Sequence, residues 1–539
     1  MAKKIFYNEE AREKVLAGAK QLHDAVKVTF GPKGKNVLIE KNYGSPVITH
    51  DGVTVAEAVD LEVTDETLGE QVGARLIKEA AQKLNKVAGD GTTTVTVLTY
   101  NILREANKLI TAGVNPMELR KGIEKAGADI VKGINEITEQ IAGDDKKVAE
   151  VATISAGDAE IGKLIAEVIS KIGPDGVVTV EPGQGLEMEQ EIVEGYSYDK
   201  GYSSPFFVTD ANRQEAIFEK PLILITEDKI SSTNELVPLL EKCAQSGRKD
   251  LVIIAEEVEG EALSILVLNK LKGVFNTLVL KAPSFGDRRK EIMEDIALLT
   301  GATVISNEKG LKLEEVGLEM LGTARKIIAT KDNSTIIKGA GDPQEIKDRI
   351  TQINAQIANS TSDYEKGELE KRAAALLGKV AVIKVGGATE TEIDEKKFRV
   401  DDAVAATKAA LSEGIVSGGG VTLINLASKL KGQDYGTQIV RDALKAPCIH
   451  ILENAGLNSA ALLSEIEKSP TGHGVNVMES DKGIVDLKKS GVIDPARVTR
   501  EAVQNAISIA ATATTMGALI AEIPEKEPEV PAGAAGMGY

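Results

Sequence analysis

An acidic residue, two glycines and three consecutive hydroxyls occur together at residues 89–94 (Gly-Asp-Gly-Thr-Thr-Thr), between two stretches of helical pattern. The Asp90 carboxylate is the kind of oxygen ligand that Mg²⁺ prefers. The hydroxyls of Thr92, Thr93 and Thr94 stand at a predicted helix start, where unpaired N–H groups and the helix dipole favour an anion. The run could hold a metal-bound phosphate, and taken alone it fits a Gly-Asp-Gly turn with a threonine-rich cap equally well.

A second glycine cluster, at residues 418–420, is predicted to end a helical run that begins near Val400 and to precede another. Glycines there could let the backbone approach a nucleotide closely. By local pattern alone, a plain helix C-cap and turn is the favoured interpretation. Asp402 is predicted to open the preceding helix. Such an acid normally serves as a cap or dipole partner, although one that faces a phosphate could orient an attacking water.

Two predicted helices, at residues 234–243 and 260–269, carry too few polar residues for an ordinary surface helix. One apolar stripe of each must cover a neighbouring sheet. The remaining apolar side chains are either buried by another element or exposed as a patch, which usually marks an interaction site. Burial is the commoner outcome for one helix, but two such helices in one region favour a binding surface.

Composition excludes several classes of protein. A chain of 539 residues is too long for one ordinary core and predicts three or four domains. Acidic residues outnumber basic ones by 82 to 64, which gives a formal net charge of −18. That balance argues against a nucleic-acid partner, since nucleic-acid binding needs a basic footprint. An aromatic content of 3% with no tryptophan also argues against base-stacking platforms.

Cysteine and histidine usage points to a reduced compartment without a zinc site. The chain has two cysteines, Cys243 and Cys448, and four histidines, and none of them shows metal-ligand spacing. Two distant cysteines also exclude a disulfide framework. The first residues contain no apolar leader-like run, and no stretch is long and uncharged enough to span a bilayer. We therefore expect a cytoplasmic protein with no membrane partner.

The elements that must position these residues change in texture along the chain. Long Ala-rich helices are predicted up to about Glu136 and again from about Val400 to Ile520. Between them, short apolar runs at residues 222–225, 251–254, 277–280 and 303–305 alternate with helices and indicate an α/β layer with a buried sheet. We expect one helical domain built from both chain ends, with an inserted domain on glycine-rich hinges near residues 173–176 and 385–388. The tail, residues 524–539, is predicted to be disordered.

A set of motifs in this order resembles the group I chaperonins, the GroEL-like proteins. The resemblance is colinear from Lys3 to about Glu522. Any one of these motifs is modest evidence, whereas the ordered set is specific. The motifs are Thr-Phe-Gly-Pro-Lys-Gly at 29–34, Asp-Gly-Val at 51–53, the run at 89–94, Asn-Pro-Met at 115–117, Gly-Tyr-Ser-Ser-Pro-Phe-Phe at 201–207, Ala-Pro-Ser-Phe-Gly-Asp-Arg-Arg-Lys at 282–290 and Glu-Gly-Ile-Val-Ser-Gly-Gly-Gly at 413–420.

The resemblance implies a multidomain α and α/β fold. A mostly helical equatorial domain would come from residues 1–136 and 413–523, a small α/β intermediate domain from 137–193 and 381–412, and an α/β apical domain from 194–380. Subunits would form seven-membered homo-oligomeric rings, commonly paired back to back, that enclose unfolded proteins under a small GroES-like co-chaperonin.

The resemblance also implies roles for individual residues in an ATP site. Asp90 would hold Mg²⁺, Asp51 would lie near the transferred phosphate, and Asp402 would swing in to position or activate the water. The nucleotide would be bordered by Thr29, Phe30, Gly31, Pro32, His50, Gly91, Thr92, Thr93, Thr94, Gly419, Asn476, Val477, Met478 and Asp494. A K⁺ ion could also bind at this nucleotide site.

A second set of residues would bind unfolded clients and the co-chaperonin in the apical domain. Non-directional apolar contact suits many clients without any readout of their sequence. The resemblance therefore predicts an exposed patch, made of Tyr202, Phe206, Phe207, Leu236, Val237, Leu240, Leu263, Val267 and Leu268.

Three departures from the family pattern matter. His50 occupies a position where the family usually has Lys. If that position acts through the lysine ammonium group, the change to His lowers nucleotide affinity, whereas the effect is mild if the position acts through its backbone carbonyl. Ile449 and Asn458 replace an Arg and a Glu that pair across the ring–ring interface, so a double ring is less secure than a single ring.

Three rival readings fit less well. A small-molecule kinase should carry a polar substrate pocket instead of separate apolar helices. A scaffold that no longer hydrolyses ATP is disfavoured by Asp51, Asp90 and Asp402. A group II chaperonin with a built-in lid is disfavoured by the motifs at residues 201–207 and 285–290.

Overall fold

The computed structural model describes residues 2–40, 46–173, 176–183, 185–210, 213–360 and 362–523. These residues form two compact units. The helical unit comprises residues 1–174, 180–189 and 384–539, and the sheet unit comprises residues 175–179 and 190–383. The tail at 524–539 and part of the first glycine-rich hinge lie outside the described residues.

The α-helices are numbered along the chain. They are α1 (Asn8–Val26), α2 (Gly52–Ala58), α3 (Glu70–Ala88), α4 (Thr92–Thr111), α5 (Pro116–Ile137), α6 (Asp145–Ala156), α7 (Ala159–Ile172), α8 (Thr233–Gln245), α9 (Gly260–Leu271), α10 (Gly286–Thr300), α11 (Pro343–Asn359), α12 (Asp363–Leu376), α13 (Glu390–Glu413), α14 (Val421–Lys429), α15 (Tyr435–Ala443), α16 (Ala446–Asn454), α17 (Ser459–Ile466) and α18 (Ala496–Thr514). In the described part of the chain, no helix is long and apolar enough to cross a membrane.

The strands are numbered in the same way. They are β1 (Lys3–Tyr7), β2 (Val37–Ile39), β3 (Val47–Thr49), β4 (Val177–Pro182), β5 (Glu189–Tyr198), β6 (Ala216–Glu219), β7 (Leu222–Thr226), β8 (Asp250–Ala255), β9 (Asn276–Lys281), β10 (Val304–Ile305), β11 (Gly322–Ala329), β12 (Ser334–Gly339), β13 (Lys379–Val385), β14 (Ile415–Ser417), β15 (His473–Val475), β16 (Ile484–Asp486), β17 (Ile493–Pro495) and β18 (Ala518–Glu522).

The helical unit is a bundle in which α18 packs against α3, α4 and α5, and α1 packs against α3. The α1–α3 crossing is tight because each helix presents a glycine to the other backbone. A methyl group added at Gly18 would lie 1.7 Å from the Glu70 carbonyl oxygen, and one added at Gly73 would lie 1.8 Å from that of Val15. Alanines such as Ala80, Ala81 and Ala506 are buried around this core. The alanine-rich pattern therefore serves close helix packing.

The two ends of the helical unit are joined by a strand pair. β1 pairs antiparallel with β18, from Lys3 opposite Glu522 to Tyr7 opposite Ala518. The prediction of helix through to Ile520 is wrong for this last segment. Leu519 and Ala521 are buried while Ile520 is exposed, which is the alternation of a half-buried strand and not a helical stripe.

The sheet unit contains the predicted buried sheet. The four apolar runs form β7, β8, β9 and β10, and all of them run parallel, with β8 between β7 and β9 and β10 on β7. The full strand order is β4-β13-β5-β12-β11-β7-β8-β9. Helices α8 and α9 follow β7 and β8, as a parallel sheet requires crossover connections. The multidomain α and α/β fold is confirmed, whereas the finer domain boundaries stay predictions.

Two local predictions around the second glycine cluster are wrong. Asp402 lies in the middle of α13, because Thr389 caps that helix and ion pairs such as Lys396–Glu392 extend it before Val400. Residues 418–420 do not end a helix. They follow strand β14 and precede α14, since Ile415, Val416 and Ser417 pair with β17 as a buried strand.

Candidate functional site

The run at residues 89–94 forms a sharp link between α3 and α4. Gly89 ends α3 with φ 68°, and Gly91 precedes α4 with φ 86°, so both take the left-handed conformation that glycine adopts without strain. No side chain caps the start of α4. The backbone N–H groups and the hydroxyls of Thr92, Thr93 and Thr94 thus stand together at one helix start, which is an arrangement suited to an anion.

The Asp51 loop lies directly against this helix start. Asp51 caps α2, since its carboxylate accepts hydrogen bonds from Val53 N (3.1 Å) and Thr54 N (2.8 Å). A methyl group added at Gly52 would lie 2.4 Å from Thr93 Oγ1 and 2.9 Å from Thr92 Oγ1. The glycine therefore permits the close approach that brings Asp51 beside the threonines.

Asp51, Asp90 and Asp494 bring three carboxylates into this neighbourhood. Burial raises the pKa of Asp90, and the nearby Asp51 raises it further, while hydrogen bonds from Gly91 N and Ser155 lower it. Burial also raises the pKa of Asp494 to about 7, with Asp90 adding to the effect. Carboxylates that repel one another in a poorly solvated site gain strongly from a bound cation.

Ser155 is a site residue that the sequence analysis missed. Its hydroxyl, on α6, donates a hydrogen bond of 2.9 Å to Asp90 Oδ2. A serine inside an amphipathic helix gives no sequence signal of such a role, because its partner lies 65 residues away. The bond fixes one oxygen of Asp90 and leaves the orientation of that carboxylate defined.

Helix α13 brings two neighbours of Asp402 to the Asp51 and Asp90 loops. Arg399, one turn before Asp402, lies near enough to His50 to lower its pKa. Ala405, one turn after Asp402, lies so close to Gly89 that a methyl group added there would be 2.2 Å from its Cβ. Residues three apart share one side of a helix. Asp402 therefore lies on the same side of α13 as these two residues, although it is not the helix-opening residue that the pattern predicted.

The predicted segment at residues 29–32 is held by α16. Asn454 Nδ2 donates to the carbonyl oxygens of Lys27 and Phe30, both at 2.9 Å. Thr29 is buried and donates to the Val26 carbonyl oxygen at 2.9 Å, whereas Pro32 is exposed. Gly31 takes φ 78° against Ile451.

His50 belongs to the same cluster. Burial is the main cause that lowers its pKa, with Arg399 contributing, while a hydrogen bond with the Gly31 backbone, Glu395 and Asp51 raise it. The His50 ring is therefore mostly neutral at pH 7 and supplies no fixed positive charge where the family pattern has an ammonium.

The remaining predicted residues lie on or next to the strand pair β14–β17. Asp494 is paired in register with Val416, and a methyl group added at Gly418 would lie 2.9 Å from Asp494 Oδ1. Gly419 is open, with its nearest neighbour, Leu487, at 3.6 Å from an added methyl group.

The segment that follows β15 completes this group of predicted residues. Asn476 accepts a hydrogen bond from Met478 N at 3.1 Å, Val477 is buried, and Met478 is 60% exposed. Val477 and Leu487 belong to one apolar cluster. Since Leu487 is also the nearest neighbour of Gly419, the packing brings this segment towards the glycine cluster.

A metal ion fits this set of residues only together with a phosphate. Within the described residues, no group of three or more His, Cys, Asp or Glu side chains could hold a metal by itself. Mg²⁺ is usually bound by one or two carboxylates with substrate phosphates and water supplying the rest. Carboxylates beside a helix start suit the protein's part of such a site, and we call Asp51, Asp90, Thr92, Thr93, Thr94 and Asp402 the acid–threonine site.

The nine apolar residues predicted as a patch in the sheet unit divide into two groups. Tyr202, Phe207, Leu236 and Leu240 are at most 6% exposed and belong to the core, so the prediction of an exposed patch is wrong for them. Leu236, Leu240 and Cys243 lie on one stripe of α8 and are buried together, which explains the correction.

The other five residues remain accessible. Phe206 and Leu268 are 62% and 49% exposed, and Val237, Leu263 and Val267 are half-buried. Leu271, which was not predicted, is 67% exposed at the end of α9. Helix α9 packs against α8 and against the 3₁₀ segment Pro205–Phe207. We call Phe206, Val237, Leu263, Val267, Leu268 and Leu271 the apolar surface.

Comparison with known proteins gives two findings. The family described as the TCP-1/cpn60 chaperonin family matches residues 22–523. Among solved structures, the chain is similar to the chaperonin gp146 from the bacteriophage EL 2 (Pseudomonas aeruginosa), crystallised in the presence of ATP-BeFx. That similarity has a TM-score of 0.66 at 21% identity and covers 97% of this chain and 99% of that one. The structural likeness concerns the fold.

Proposed function

We propose, from the premise that the chain belongs to the TCP-1/cpn60 chaperonin family, that it is an ATP-driven chaperone which binds unfolded proteins and hydrolyses ATP. The observation that carries the proposal is the meeting of Asp51 and Asp90 at the start of α4, which no side chain caps and against which α13 packs through Ala405 and Gly89. The crystallisation of gp146 with an ATP analogue supports a nucleotide at this fold. Group I membership continues to rest on the sequence motifs.

In this proposal the start of α4 binds the phosphates of ATP. Thr92, Thr93 and Thr94 donate from their backbone and hydroxyl groups, and Asp90 holds Mg²⁺ with Ser155 fixing its second oxygen. Mg²⁺, when bound, neutralises charge on the phosphates and orients them. K⁺ would use backbone carbonyl oxygens such as that of His50, because a hard cation takes oxygen ligands.

The two sides of the site divide the rest of the nucleotide between them. Thr29, Phe30, Gly31 and Pro32 border it on one side. Gly419, Asn476, Val477 and Met478 border it on the other, with the Asp494 carboxylate on the ribose.

Asp402 serves as the residue that orients and deprotonates the attacking water. It is carried on α13, on the same side as the residues that lie near the two acidic loops, and a carboxylate can accept a proton from a water placed in line with a phosphate. Asp51 is occupied by three hydrogen bonds at the start of α2 and therefore acts through its charge and not as a base.

The apolar surface is the proposed binding site for unfolded polypeptides and for a small GroES-like co-chaperonin. Phe206, Leu268 and Leu271 are exposed. When a partner's apolar side chains cover them, binding is stabilised by about 25 cal/mol for each Å² of apolar area buried. We further propose a cytoplasmic homo-oligomeric ring with seven subunits. Ile449 and Asn458 supply no ion pair between rings, so one ring is the expected assembly.

The decisive experiment replaces Asp402 with alanine in the full chain. Asp402→Ala is expected to bind Mg-ATP with unchanged affinity and to lose at least about fiftyfold in steady-state phosphate release. Asp394→Ala, which removes an exposed acid from the same helix, is the matched control. Normal turnover by Asp402→Ala would contradict the assigned role, and unchanged refolding of a denatured client by that variant would contradict ATP-driven folding.

A further inference from the structure

Lys270 is a cation placed between aromatic rings. It lies on α9, and its ammonium group is 5.2 Å from the ring centre of Phe218 and 5.9 Å from that of Phe207. Lys270 Nζ also donates a hydrogen bond of 2.5 Å to the Phe207 carbonyl oxygen. Among the described residues no carboxylate forms an ion pair with it. Burial alone accordingly lowers the pKa of Lys270 to about 8.

The contacts of Lys270 join the two segments that carry the most exposed part of the apolar surface. Phe207 is the last residue of the Pro205–Phe207 segment, and its ring is fully buried while its neighbour Phe206 is 62% exposed. On α9, Leu268 and Leu271 stand two residues before and one residue after Lys270, with exposures of 49% and 67%. A single ammonium group therefore fixes the backbone next to Phe206 to the helix turn that presents both leucines.

Burial of an unpaired ammonium is a poor way to stabilise a fold. A methionine would pack on Phe207 and Phe218 without the desolvation cost of a charge. It would not hold the Phe207 carbonyl, which requires a donor of the length and charge of lysine or arginine. The particular contribution of Lys270 is thus geometric, because it sets where Phe206 stands.

We propose that Lys270 is a positioning residue for polypeptide binding, which holds Phe206 beside Leu268 and Leu271 so that the three present one continuous apolar surface. The inference rests on the proposed binding of unfolded polypeptides. Lys270 acts through Phe207 and is itself not required to touch the bound polypeptide. A partner of extended apolar sequence then meets both segments at once and does not have to order one of them on binding, which reduces the entropic cost of association.

The test compares three variants of the full chain with fluorescently labelled, reduced and carboxymethylated lactalbumin as a permanently unfolded probe. Lys270→Met is expected to weaken binding of the probe about fivefold, the loss expected for one cation–ring and carbonyl arrangement. Lys270→Arg keeps the charge and the donor and should restore binding to within about twofold. Lys272→Met removes an exposed lysine at the end of the same helix and should leave binding unchanged.

Two further measurements separate positioning from a structural role. The unfolding temperature of Lys270→Met and its ATP hydrolysis without a client should equal those of the parent protein. The inference is overturned if Lys270→Met binds the probe normally, if Lys270→Arg binds it as weakly as Lys270→Met, or if the loss of binding follows a loss of stability. If Phe206→Ser together with Leu268→Ser also leaves probe binding unchanged, the proposed surface fails as well, which distinguishes the two failures.

Discussion

The acid–threonine site and the apolar surface differ in the groups that the fold leaves available: carboxylates in the first and exposed apolar side chains in the second. In the helical unit, Asp51, Asp90 and Asp494 crowd one poorly solvated site, and the pKa values of Asp90 and Asp494 rise in consequence. In the sheet unit, Phe206 and Leu268 are exposed to water, and the helix that carries Leu268 is mostly apolar. The first region suits a bound cation together with an anionic ligand, and the second suits a partner that presents apolar side chains.

The two regions also differ in how strictly they are positioned. Around the acid–threonine site, the packing leaves no room for a methyl group on Gly52 or Gly89. A hydrogen bond from Ser155 fixes the Asp90 carboxylate, and hydrogen bonds from Val53 N and Thr54 N fix that of Asp51. The apolar surface has few such constraints, with Lys270 as the clearest one. Phosphate chemistry depends on fixed geometry, whereas apolar contact is non-directional. Small changes should therefore damage the first region far more than the second.

The largest effect is expected from Asp90→Ala. Loss of this carboxylate removes the proposed ligand for Mg²⁺, and phosphate release should fall by about a thousandfold or more. Binding of an unfolded probe in the absence of nucleotide should be retained, which would show that the two regions are separable. Asp158→Ala, which removes the acid that caps α7, serves as the control. Hydrolysis within tenfold of the parent protein would contradict the assignment.

A smaller loss is expected from Gly52→Ala. The added methyl group would meet Thr93 Oγ1 at 2.4 Å, so the Asp51 loop must move away from α4. We expect ATP hydrolysis to fall about a hundredfold, in line with the sensitivity of catalysis to misplacement by about 1 Å. Gly517→Ala is the matched control, because no atom lies within 4 Å of the methyl group it adds. Equal hydrolysis by the two variants would show that the close approach is not needed.

A moderate effect is expected from changes to the apolar surface. Phe206→Ser combined with Leu268→Ser should weaken binding of the unfolded probe about thirtyfold and leave ATP hydrolysis unchanged, since each lost side chain forfeits about 1 kcal/mol of apolar burial. Val267→Ser alone should give a smaller loss in the same direction. Leu377→Ser changes another exposed leucine of the sheet unit and should be silent. Normal capture by the double variant would assign binding to another surface.

The smallest effect is a pH dependence of stability that comes from Asp494. Its pKa is about 7 in the folded chain and lower when unfolded, so the folded state takes up a proton. Ionisation above pH 7 therefore destabilises the nucleotide-free protein, and the penalty is relieved as the pH falls below 7. Between pH 8 and pH 6 the unfolding temperature, measured by calorimetry, should rise by a few degrees more for the parent protein than for Asp494→Asn. If the unfolding temperatures of the two proteins changed in parallel with pH, the pKa of Asp494 would not be raised in the folded chain.

Much of the fold could be predicted from the sequence because its signals are local. The apolar runs at residues 222–225 and 251–254 predicted strands of a buried sheet, and β7 and β8 confirm them. Local pattern failed where a long-range partner decides the structure. The last segment, β18, is a strand because it pairs with β1. Residues 415–417 form a strand because they pair with β17. Asp402 was misplaced within its helix, since ion pairs and a distant cap extend α13 towards its N-terminus.

The sequence by itself determined which residue types are present and in what order: a helix-start threonine run next to an acid, apolar helices in the middle of the chain, and the ordered motifs of a chaperonin. Only the tertiary structure decided which of these residues meet. Ser155 reaches Asp90, and Gly52 reaches Thr93, across separations that no local pattern encodes. It also decided which apolar residues of α8 and α9 stay in water. Burial depends on what packs against each side of a helix, and that is settled by contacts distant in sequence.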